Sequence, residues 1–376
     1  MHVAILAQFP IHLLPGFEHL GEPKKHYATW LPQLSESFAL AKDMDIHWVV
    51  LTTEVSAAAC ITHSGQTFHL LPTARSRRAS TFFRADRALI SGALTAIQPD
   101  LVHGWGTEDV YALAAVLSGR RNLVSMAGLL SYYVLKARMH PRDCFQAALE
   151  LFVLNRAQGI TVETEWGRRV LRRRTRRPID LVEYGVRPGF YELAWQPVPE
   201  KPVALFVGSI SPRKGIQDAV RAFADPGLSG YELRVAGAGS GSWVEKLKDF
   251  SPKNVSWLGQ IPPDQTAREL AAAWCLVLPT RCDTSPNVVK EARVIGLPVI
   301  TTPQGGQSNY IEDGENGFLV PPGDISALTR SLGRILSDLK ICQTMGAARH
   351  SDAREHFRPQ RTAELFLELY RGQGDC

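Results

Sequence analysis

The hydrophobic pattern alternates along most of the chain between short apolar runs and longer segments in which apolar residues recur at helical spacing. Short runs of this kind are typical of buried parallel strands, and the longer segments are typical of helices that cover a sheet. The predicted strands are residues 2–7, 46–53, 101–103, 123–126, 159–164, 179–182, 203–207, 231–235, 255–258, 274–279 and 297–302. The predicted helices are residues 29–41, 82–97, 109–117, 142–157, 166–174, 214–223, 286–295, 325–335, 339–348 and 359–370. Strands and helices that alternate in this way predict an α/β fold with doubly wound parallel sheets.

The most informative stretch is residues 278–306, where a strand, a loop, a helix and a second strand follow one another. Thr284 and Ser285 are residue types that cap helices, and Pro286 suits the first helical position. Gly296 is the residue type that ends a helix. We therefore predict a helix that begins near Pro286, directly after the loop that contains Asp283.

The start of this helix is suited to a phosphate, because its backbone N–H groups are free and its dipole is positive there. Glu291 lies about one and a half turns into the helix and Asp283 lies eight positions before it. Both carboxylates can accept hydrogen bonds from ribose or sugar hydroxyls. The pattern indicates a site for a nucleotide sugar. The alternative is an ordinary capped surface helix with a solvated Glu291.

Composition places the chain among soluble globular proteins, with 45% hydrophobic and 21% charged residues. No apolar run approaches the ~18 residues that span a bilayer, and Met1 leads directly into a predicted strand, so we expect no signal peptide. The six cysteines are scattered, which favours a reducing, cytoplasmic location over disulfides or a metal.

The net charge of +5 lies in the first half of the chain, where residues 1–195 hold 22 Lys and Arg against 17 Asp and Glu. The densest run is residues 172–177, with five arginines. It suggests an anionic partner, such as an acidic glycan, a lipid-phosphate acceptor or the inner face of a membrane. The alternative is a solvated helix end. Nucleic acid is not expected, because no aromatic residues interleave the basic ones.

Two further motifs imitate known sites. Asp43 and Asp45 form a D-x-D pair, but they lie in a predicted helix-to-strand turn where aspartate is expected anyway. Gly237 and Gly239 imitate the start of a dinucleotide fingerprint, but Ser242 stands where the spacing of that fingerprint requires its third glycine. No acidic residue ends the next strand either. We therefore expect neither a metal nor NAD, and no other bound cofactor.

Polar residues in the first half follow the predicted strand 101–103. His103 and Glu108 are candidates for ligand contact, because ligands bind at the carboxyl ends of strands in doubly wound sheets. The alternatives are that His103 is a core histidine and that Glu108 or Thr107 only caps the next helix.

The second half contains a long ordered series of matches to one family. After Asp283 and Glu291 come Ala292, residues 296–300 (GLPVI), Gly305–Gly306, residues 311–314 (IEDG), residues 316–320 (NGFLV) and residues 321–324 (PPGD). This series resembles the donor-binding signature of glycosyltransferase family 4, the retaining enzymes of GT-B fold. Asp283 stands where most members have glutamate.

The resemblance implies two doubly wound Rossmann-like domains that face each other across a cleft. Residues 1–190 would be the acceptor-side domain, and residues 191–356 would bind the nucleotide-sugar donor. The end of the chain, residues 357–376, would pack back on the first domain.

The resemblance also implies residue roles in the loop after strand 203–207. Lys214 matches the family lysine that holds the donor diphosphate, and Ser209 replaces the family arginine. Arg213 adjoins it and is expected to substitute, since a guanidinium binds phosphate bidentately. On the acceptor side, Gly128 matches a family glycine, and Ala127 replaces a family histidine. The candidate substitutes for that histidine are His103, Glu108, Tyr132 and Tyr133, and the alternative is that the enzyme does without this contact.

The predicted catalytic set is Lys214, Arg213, Asp283 and Glu291. The remaining predicted contacts to the nucleotide sugar are Gly208, Ser209, Gln260, Thr284, Ser285, Pro286, Asn287 and Val288.

The activity implied by the resemblance is retaining, metal-independent transfer of a sugar from a nucleotide diphosphate sugar to a hydroxyl of a glycan or lipid-linked acceptor. Two alternatives stay open at this point. One is a GT-B nucleotide-sugar epimerase, and the other is a weakly active sugar-nucleotide-binding protein.

Overall fold

The computed structural model describes residues 1–21, 30–39, 41–74, 78–136 and 141–372. The chain divides into two compact units. Unit 1 is Met1–Gly185 together with the chain from Pro359 onward, and unit 2 is Val186–Arg358. Residues 29 and 40 of the predicted helix 29–41, and the last four residues of the predicted terminal segment, lie outside the described residues.

Unit 1 is built on a sheet with helices on its faces. In chain order its elements are β1 His2–Leu6, α1 Leu31–Phe38, β2 Asp45–Thr52, β3 Ala59–His63, β4 Gln66–Pro72, α2 Arg84–Ile97, β5 Leu101–Trp105, α3 Val110–Leu117, β6 Asn122–Ser125, α4 Leu130–Lys136, α5 Pro141–Arg156, β7 Gly159–Val162, α6 Glu165–Leu171 and β8 Ile179–Leu181. The strand order is β3-β4-β2-β1-β5-β6-β7-β8. β3 is antiparallel to β4, and the other pairs are parallel.

Unit 2 has a second, parallel sheet. Its elements are β9 Val203–Val207, α7 Ile216–Ala222, β10 Glu232–Ala236, α8 Ser242–Asp249, β11 Val255–Gly259, α9 Pro263–Ala272, β12 Cys275–Leu278, α10 Asn287–Ile295, β13 Val299–Thr301, β14 Gly317–Leu319, α11 Ile325–Leu336, α12 Leu339–Ala347 and α13 His350–His356. The strand order is β11-β10-β9-β12-β13-β14. Numbered within the unit, this is 3-2-1-4-5-6, the order of dinucleotide-binding folds.

The prediction of two doubly wound α/β sheets is confirmed. The elements that the pattern missed are β3, β4, α4, α8, α9, β14 and α13. Most of them carry a weak hydrophobic signal. Helix α8, for example, buries only Val244, and β14 is three residues long. Such segments depend on contacts supplied by the sheet, so periodicity alone does not show them.

The last helix, α14 Pro359–Arg371, belongs to unit 1. It buries Phe366 and Tyr370, whose rings contact His103 in β5. The Tyr370 hydroxyl lies 2.7 Å from His103 Nδ1, and Ser125 Oγ lies 2.7 Å from His103 Nε2. These hydrogen bonds connect helix α14 to the central strands β5 and β6 of the first sheet.

Among the described residues, no helix has both the length and the apolar character required to span a bilayer.

Substitution Tyr370→Phe tests the polar link between α14 and the sheet. It leaves a fully buried histidine nitrogen without its partner, which we expect to cost about 1–3 kcal/mol of unfolding free energy. Urea denaturation of the full chain measures the loss. The control is Tyr231→Phe, a half-buried tyrosine of unit 2, and an equal effect of both substitutions would contradict this account.

Candidate active site

The best-organised candidate site lies where the chain reverses direction in the second sheet. Strands β9 and β12 are neighbours, but β9 leads to β10 on one side and β12 leads to β13 on the other. The loops that leave their carboxyl ends diverge and open a crevice, which is the usual ligand position in open α/β sheets. Gly208–Gly215 leave β9, and Pro279–Pro286 leave β12.

The loop after β9 is shaped by a 3-10 turn and a glycine. Pro212–Lys214 form the turn, and Gly215 follows with a φ of 75°. A Cβ at Gly215 would overlap the carbonyl oxygen of Pro279. Glycine therefore allows the loops after β9 and β12 to touch, which brings Lys214 next to the second loop.

The predicted diphosphate-binding residues meet Asp283 in this crevice. The Lys214 ammonium donates a hydrogen bond to Asp283 Oδ2. Arg213 Nη1 donates to the Cys282 carbonyl at 3.0 Å and lies 3.5 Å from Asp283 Oδ2. The structure thus brings the adjacent residues Arg213 and Lys214 next to Asp283, from which they are separated by 70 and 69 positions in the sequence.

The backbone of Asp283 contacts the loop after β13. The Gly306 N–H donates to the Asp283 carbonyl oxygen at 2.8 Å. A Cβ at Gly305, where φ is 147°, would overlap the same oxygen. The paired glycines Gly305 and Gly306 therefore allow the backbones of the loops after β12 and β13 to approach each other closely.

Asp283 is charged at neutral pH. Its side chain is buried, which by itself raises the pKa of a carboxyl group. The charges of Lys214 and Arg213 outweigh that effect and hold the pKa of Asp283 below its usual value. Because an ammonium has three donors and Asp283 takes one, Lys214 can bind a second anionic group while it stays oriented.

The helix after Asp283 begins without a side-chain cap. Pro286 occupies the N-cap position and Asn287 the first helical position, so the predicted positions were one residue early. Ser285 does not cap the helix, because its hydroxyl pairs with that of Tyr310 at 2.9 Å. The N-cap residue Pro286 makes no side-chain cap hydrogen bond. Backbone N–H groups at the positive end of a helix can bind an anion.

Glu291 is the fifth residue of α10 and is half-buried. Burial raises the pKa of its carboxyl group, and the positive charges of Arg187 and Lys290 act in the opposite direction. Within the described part of the chain, no hydrogen bond reaches this carboxylate. Its oxygens can therefore accept hydroxyl groups from a ligand.

The other predicted contacts are distributed along the same edge of the sheet. Ser209 is exposed after β9, and Gln260 is exposed after β11, two strands away. Asn287 is half-buried, and Thr284 is buried. The side chain of Val288 belongs to the hydrophobic core, so only its backbone can face a ligand.

The expectation that His103 contacts a ligand is wrong. Its side chain is fully buried in β5, and both ring nitrogens are hydrogen-bonded within the core. Burial lowers the pKa of His103 to about 3, so the ring is neutral at physiological pH. The alternative of a core histidine is correct.

Glu108 and Gly128 come together at the carboxyl ends of β5 and β6. The Glu108 carboxylate lies so close to Gly128 that a Cβ there would be 2.7 Å from Oε1. Burial raises the pKa of Glu108, whereas its bonds to the N–H groups of residues 108, 107 and 128 lower it, and the charge of Glu150 raises it further. Glu108 does not cap α3, because that role belongs to Asp109. Glu108 is thus placed where a doubly wound sheet binds ligands.

Unit 1 also contains a cavity that the sequence did not reveal. It has a volume of about 610 Å³ and lies beside the carboxyl ends of β1 and β2. Arg78 lines it and is held by Asp86 at 2.7 Å and by Asp109 at 3.0 Å. Arg78, Asp86 and Asp109 belong to different parts of the sequence, so a local sequence pattern could not have predicted that they interact.

The arginine run at 172–177 follows the end of α6. Arg174 donates to the Ser131 hydroxyl at 2.9 Å, and Arg177 donates to the Asn155 carbonyl. Arg172, Arg173 and Arg176 are exposed. Part of the run therefore stabilises the protein itself, and contact with an anionic surface stays a prediction.

Comparison with curated proteins gives relatives that match somewhat less than half of the chain. D-inositol 3-phosphate glycosyltransferase from Acidothermus cellulolyticus is 31% identical over 184 residues, which are 45% of this chain and 40% of that protein. Sulfoquinovosyl transferase SQD2 from Arabidopsis thaliana is 28% identical over 176 residues, which are 46% of this chain and 34% of that protein. The chain therefore matches less than half the length of these curated relatives.

Solved structures share the fold over the whole chain. Sucrose-phosphate synthase from Thermosynechococcus elongatus has a TM-score of 0.80 and 20% identity, and the match covers 99% of this chain and 98% of that one. HepE from Anabaena, solved in complex with UDP-glucose, has a TM-score of 0.73 and 15% identity, with 99% and 100% covered. The fold is therefore that of the GT-B glycosyltransferases.

The family model "Glycosyl transferases group 1" matches residues 201–338, which include every strand of the second sheet. The crevice with Lys214, Asp283 and Glu291 lies within this match. Over residues 201–338 this chain is therefore similar to the glycosyl transferases group 1 family.

Proposed function

We propose that this chain is a retaining glycosyltransferase, which moves a sugar from a nucleoside diphosphate sugar to an acceptor hydroxyl in glycan, glycolipid or polysaccharide synthesis. The observation that supports this most strongly is the meeting of Lys214, Arg213 and Asp283 beside the uncapped start of α10. Similarity of part of the chain to named glycosyltransferases supports it further.

The diphosphate of the donor would lie between Lys214, Arg213 and the start of α10. Two positive side chains face one carboxylate there, so the crevice keeps an excess of positive charge. The helix end adds partial positive charge through its free N–H groups. This arrangement would stabilise the negative charge that develops on the leaving diphosphate.

The carboxylates would hold the rings on either side of the phosphates. Glu291 would accept hydrogen bonds from ribose hydroxyls, because its oxygens have no partner among the described residues. Asp283 would contact the sugar, since it retains acceptor capacity beyond its bond to Lys214. A donor such as UDP-glucose, which the similar protein HepE binds, suits this division of roles.

No enzyme nucleophile is assigned, because the leaving phosphate can take the proton of the acceptor hydroxyl when the acceptor attacks from the same face of the sugar. In this mechanism Lys214 and Arg213 supply the positive charge that a metal ion would otherwise supply. Independence from a metal follows from that assignment and stays a prediction.

The acceptor would bind at the carboxyl edge of the sheet in unit 1. The cavity beside Arg78 and Asp109 offers charged and polar groups to the hydroxyls of a glycan or a lipid-linked glycan. Glu108 lies at the same edge of the sheet, after β5. We expect it to position the acceptor or the transferred sugar.

Substitutions Lys214→Ala and Glu291→Ala test the donor site. Each removes one charged contact to the donor, so we expect donor affinity or turnover to fall at least ~10-fold. Thermal shift with UDP-glucose and GDP-mannose measures binding, because a ligand of the native state raises the Tm. Release of nucleoside diphosphate measures turnover.

The matched controls for these substitutions are Lys340→Ala and Glu315→Ala, two exposed residues away from the crevice. They should leave binding and turnover unchanged. Donor binding and turnover that both stay unchanged in Lys214→Ala and in Glu291→Ala would refute the site. Rapid conversion of the donor to an epimer without any acceptor would refute transfer itself.

Substitution Asp283→Asn tests the ion pair through its pH dependence. The pKa of Asp283 is lower in the folded chain than the ~3.9 of an unfolded one, so its charge stabilises the fold at pH values above that figure. This stabilisation is lost as the pH falls through the folded pKa. We expect a Tm deficit in the variant that is constant from pH 8 to about pH 5 and shrinks below about pH 4. A deficit that persists unchanged at pH 3 would show that the charge is not responsible.

Substitution Glu108→Gln tests the acceptor side. It keeps the shape and removes the charge, so we expect turnover with acceptor to fall at least ~10-fold, as is typical when a positioned acid or base is lost. The thermal shift with donor should stay as in the parent. The control is Glu368→Gln, an exposed residue of α14. Unchanged turnover would remove Glu108 from the site.

A further inference from the structure

A cluster of three metal-binding side chains lies at the amino end of the first sheet, and the proposed transfer does not use it. His2 Nδ1 lies 3.2 Å from Asp45 Oδ2, and His47 Nε2 lies 3.3 Å from the same oxygen. The three ligand atoms are all within 4.8 Å of one another. Two neutral imidazoles and a carboxylate form a donor set suited to zinc and similar transition metals.

The strand register places these side chains together. His2 in β1 is the partner of Asp45 in the parallel strand β2. Asp45 and His47 are two residues apart in β2, so their side chains leave the same face of the sheet. The cluster is therefore fixed by backbone hydrogen bonds rather than by flexible loops.

The two distances from Asp45 to the histidines are close to those of a tetrahedral zinc site. Zinc binds imidazole nitrogen and carboxylate oxygen at about 2.0–2.2 Å. Two ligands of a regular tetrahedron with such bonds are about 3.3–3.5 Å apart. The observed separations of 3.2 and 3.3 Å from Asp45 Oδ2 to the two nitrogens are close to this spacing. Small side-chain rotations would complete it.

The ring of His47 is held with one nitrogen directed at the cluster. Its Nε2 is buried and, within the described part of the chain, has no hydrogen-bond partner, although the Asp45 carboxylate is near. Its Nδ1 lies 3.1 Å from His69 Nε2, and His69 Nδ1 lies 3.2 Å from Cys60 Sγ. A metal-binding histidine commonly uses its second nitrogen in such a hydrogen bond, which fixes the ring and its tautomer.

We propose that His2, Asp45 and His47 bind one divalent transition-metal ion, with Zn²⁺ as the best match. The side chains of His2 and Asp45 are 53% and 50% exposed, so an ion can reach them from solvent and keep a water molecule as fourth ligand. The ion would tie β1 to β2. Magnesium and calcium are disfavoured, because they prefer oxygen ligands.

The metal site is separate from the proposed acceptor site. His2 and Asp45 are the first residues of their strands, whereas Glu108 and the cavity lie at the carboxyl ends. Strand β1 alone spans about 13 Å between its two ends, at ~3.3 Å per residue. Binding of the ion is therefore independent of the proposed transferase activity.

Calorimetric titration of the metal-free, untagged full chain with ZnCl₂ tests the proposal. We expect one ion per chain, with affinity at least ~10-fold lower in His2→Ala and in Asp45→Asn. The matched controls are Asp43→Asn, the other aspartate of the D-x-D pair, which binds Arg371 instead, and His63→Ala, a histidine of β3. Both should bind Zn²⁺ as the parent does.

Absence of stoichiometric binding, or equal affinity in His2→Ala, Asp45→Asn and the controls, would overturn the proposal. Circular dichroism of the metal-free variants separates loss of a ligand from loss of fold. His2→Ala is the variant expected to disturb the fold least, because the side chain of His2 is half exposed.

Visible absorption of bound Co²⁺ gives a second readout. Loss of its tetrahedral bands in Asp45→Asn but not in Asp43→Asn is expected, and bands of equal intensity in both would also overturn the proposal.

Discussion

The pairing of the Lys214 ammonium with the buried carboxylate of Asp283 is the interaction on which the candidate site depends. A buried carboxylate is costly unless positive charge and hydrogen bonds compensate it, and Lys214 and Arg213 provide both. The pair joins the loop after β9 to the loop after β12, on the two sides of the switch point. It also orients an ammonium that has two further donors. The same contact thus stabilises the loops and prepares a place for an anion.

Glycines make this arrangement possible because they allow backbones to approach where a side chain would block them. Gly215 lies against Pro279, Gly305 lies against Asp283, and Gly237 lies against the carbonyl of Gly208. The loops after β9, β10, β12 and β13 are therefore in contact through backbone atoms. The family motif is, in this respect, a set of packing requirements around one crevice. Its acidic and basic members supply the chemistry, and its glycines supply the geometry.

Unit 1 uses the two edges of its sheet differently. The carboxyl edge has Glu108, Gly128 and a cavity with paired charges, as expected of a ligand-binding edge. The amino edge has the His2, Asp45 and His47 cluster. Between them, His103 and Tyr370 form a satisfied polar link within the core. His103 inside β5 and His2 at the start of β1 therefore have different surroundings, although both lie in the same sheet.

The sequence by itself determined the two doubly wound sheets, because alternating apolar runs and helical segments depend only on local periodicity. It also predicted a site around Asp283, Glu291 and Lys214, because Asp283 and Glu291 belong to an ordered series that resembles a family motif and Lys214 matches a family lysine in another loop. Only the tertiary structure decided that Pro286, and not Ser285, stands at the cap of α10, since Tyr310 takes the Ser285 hydroxyl. Only it showed that His103 is buried and that Asp45 meets His2 rather than acting with Asp43. Such pairings join residues that are far apart in the chain, and strand register and burial, which no local pattern records, decide them.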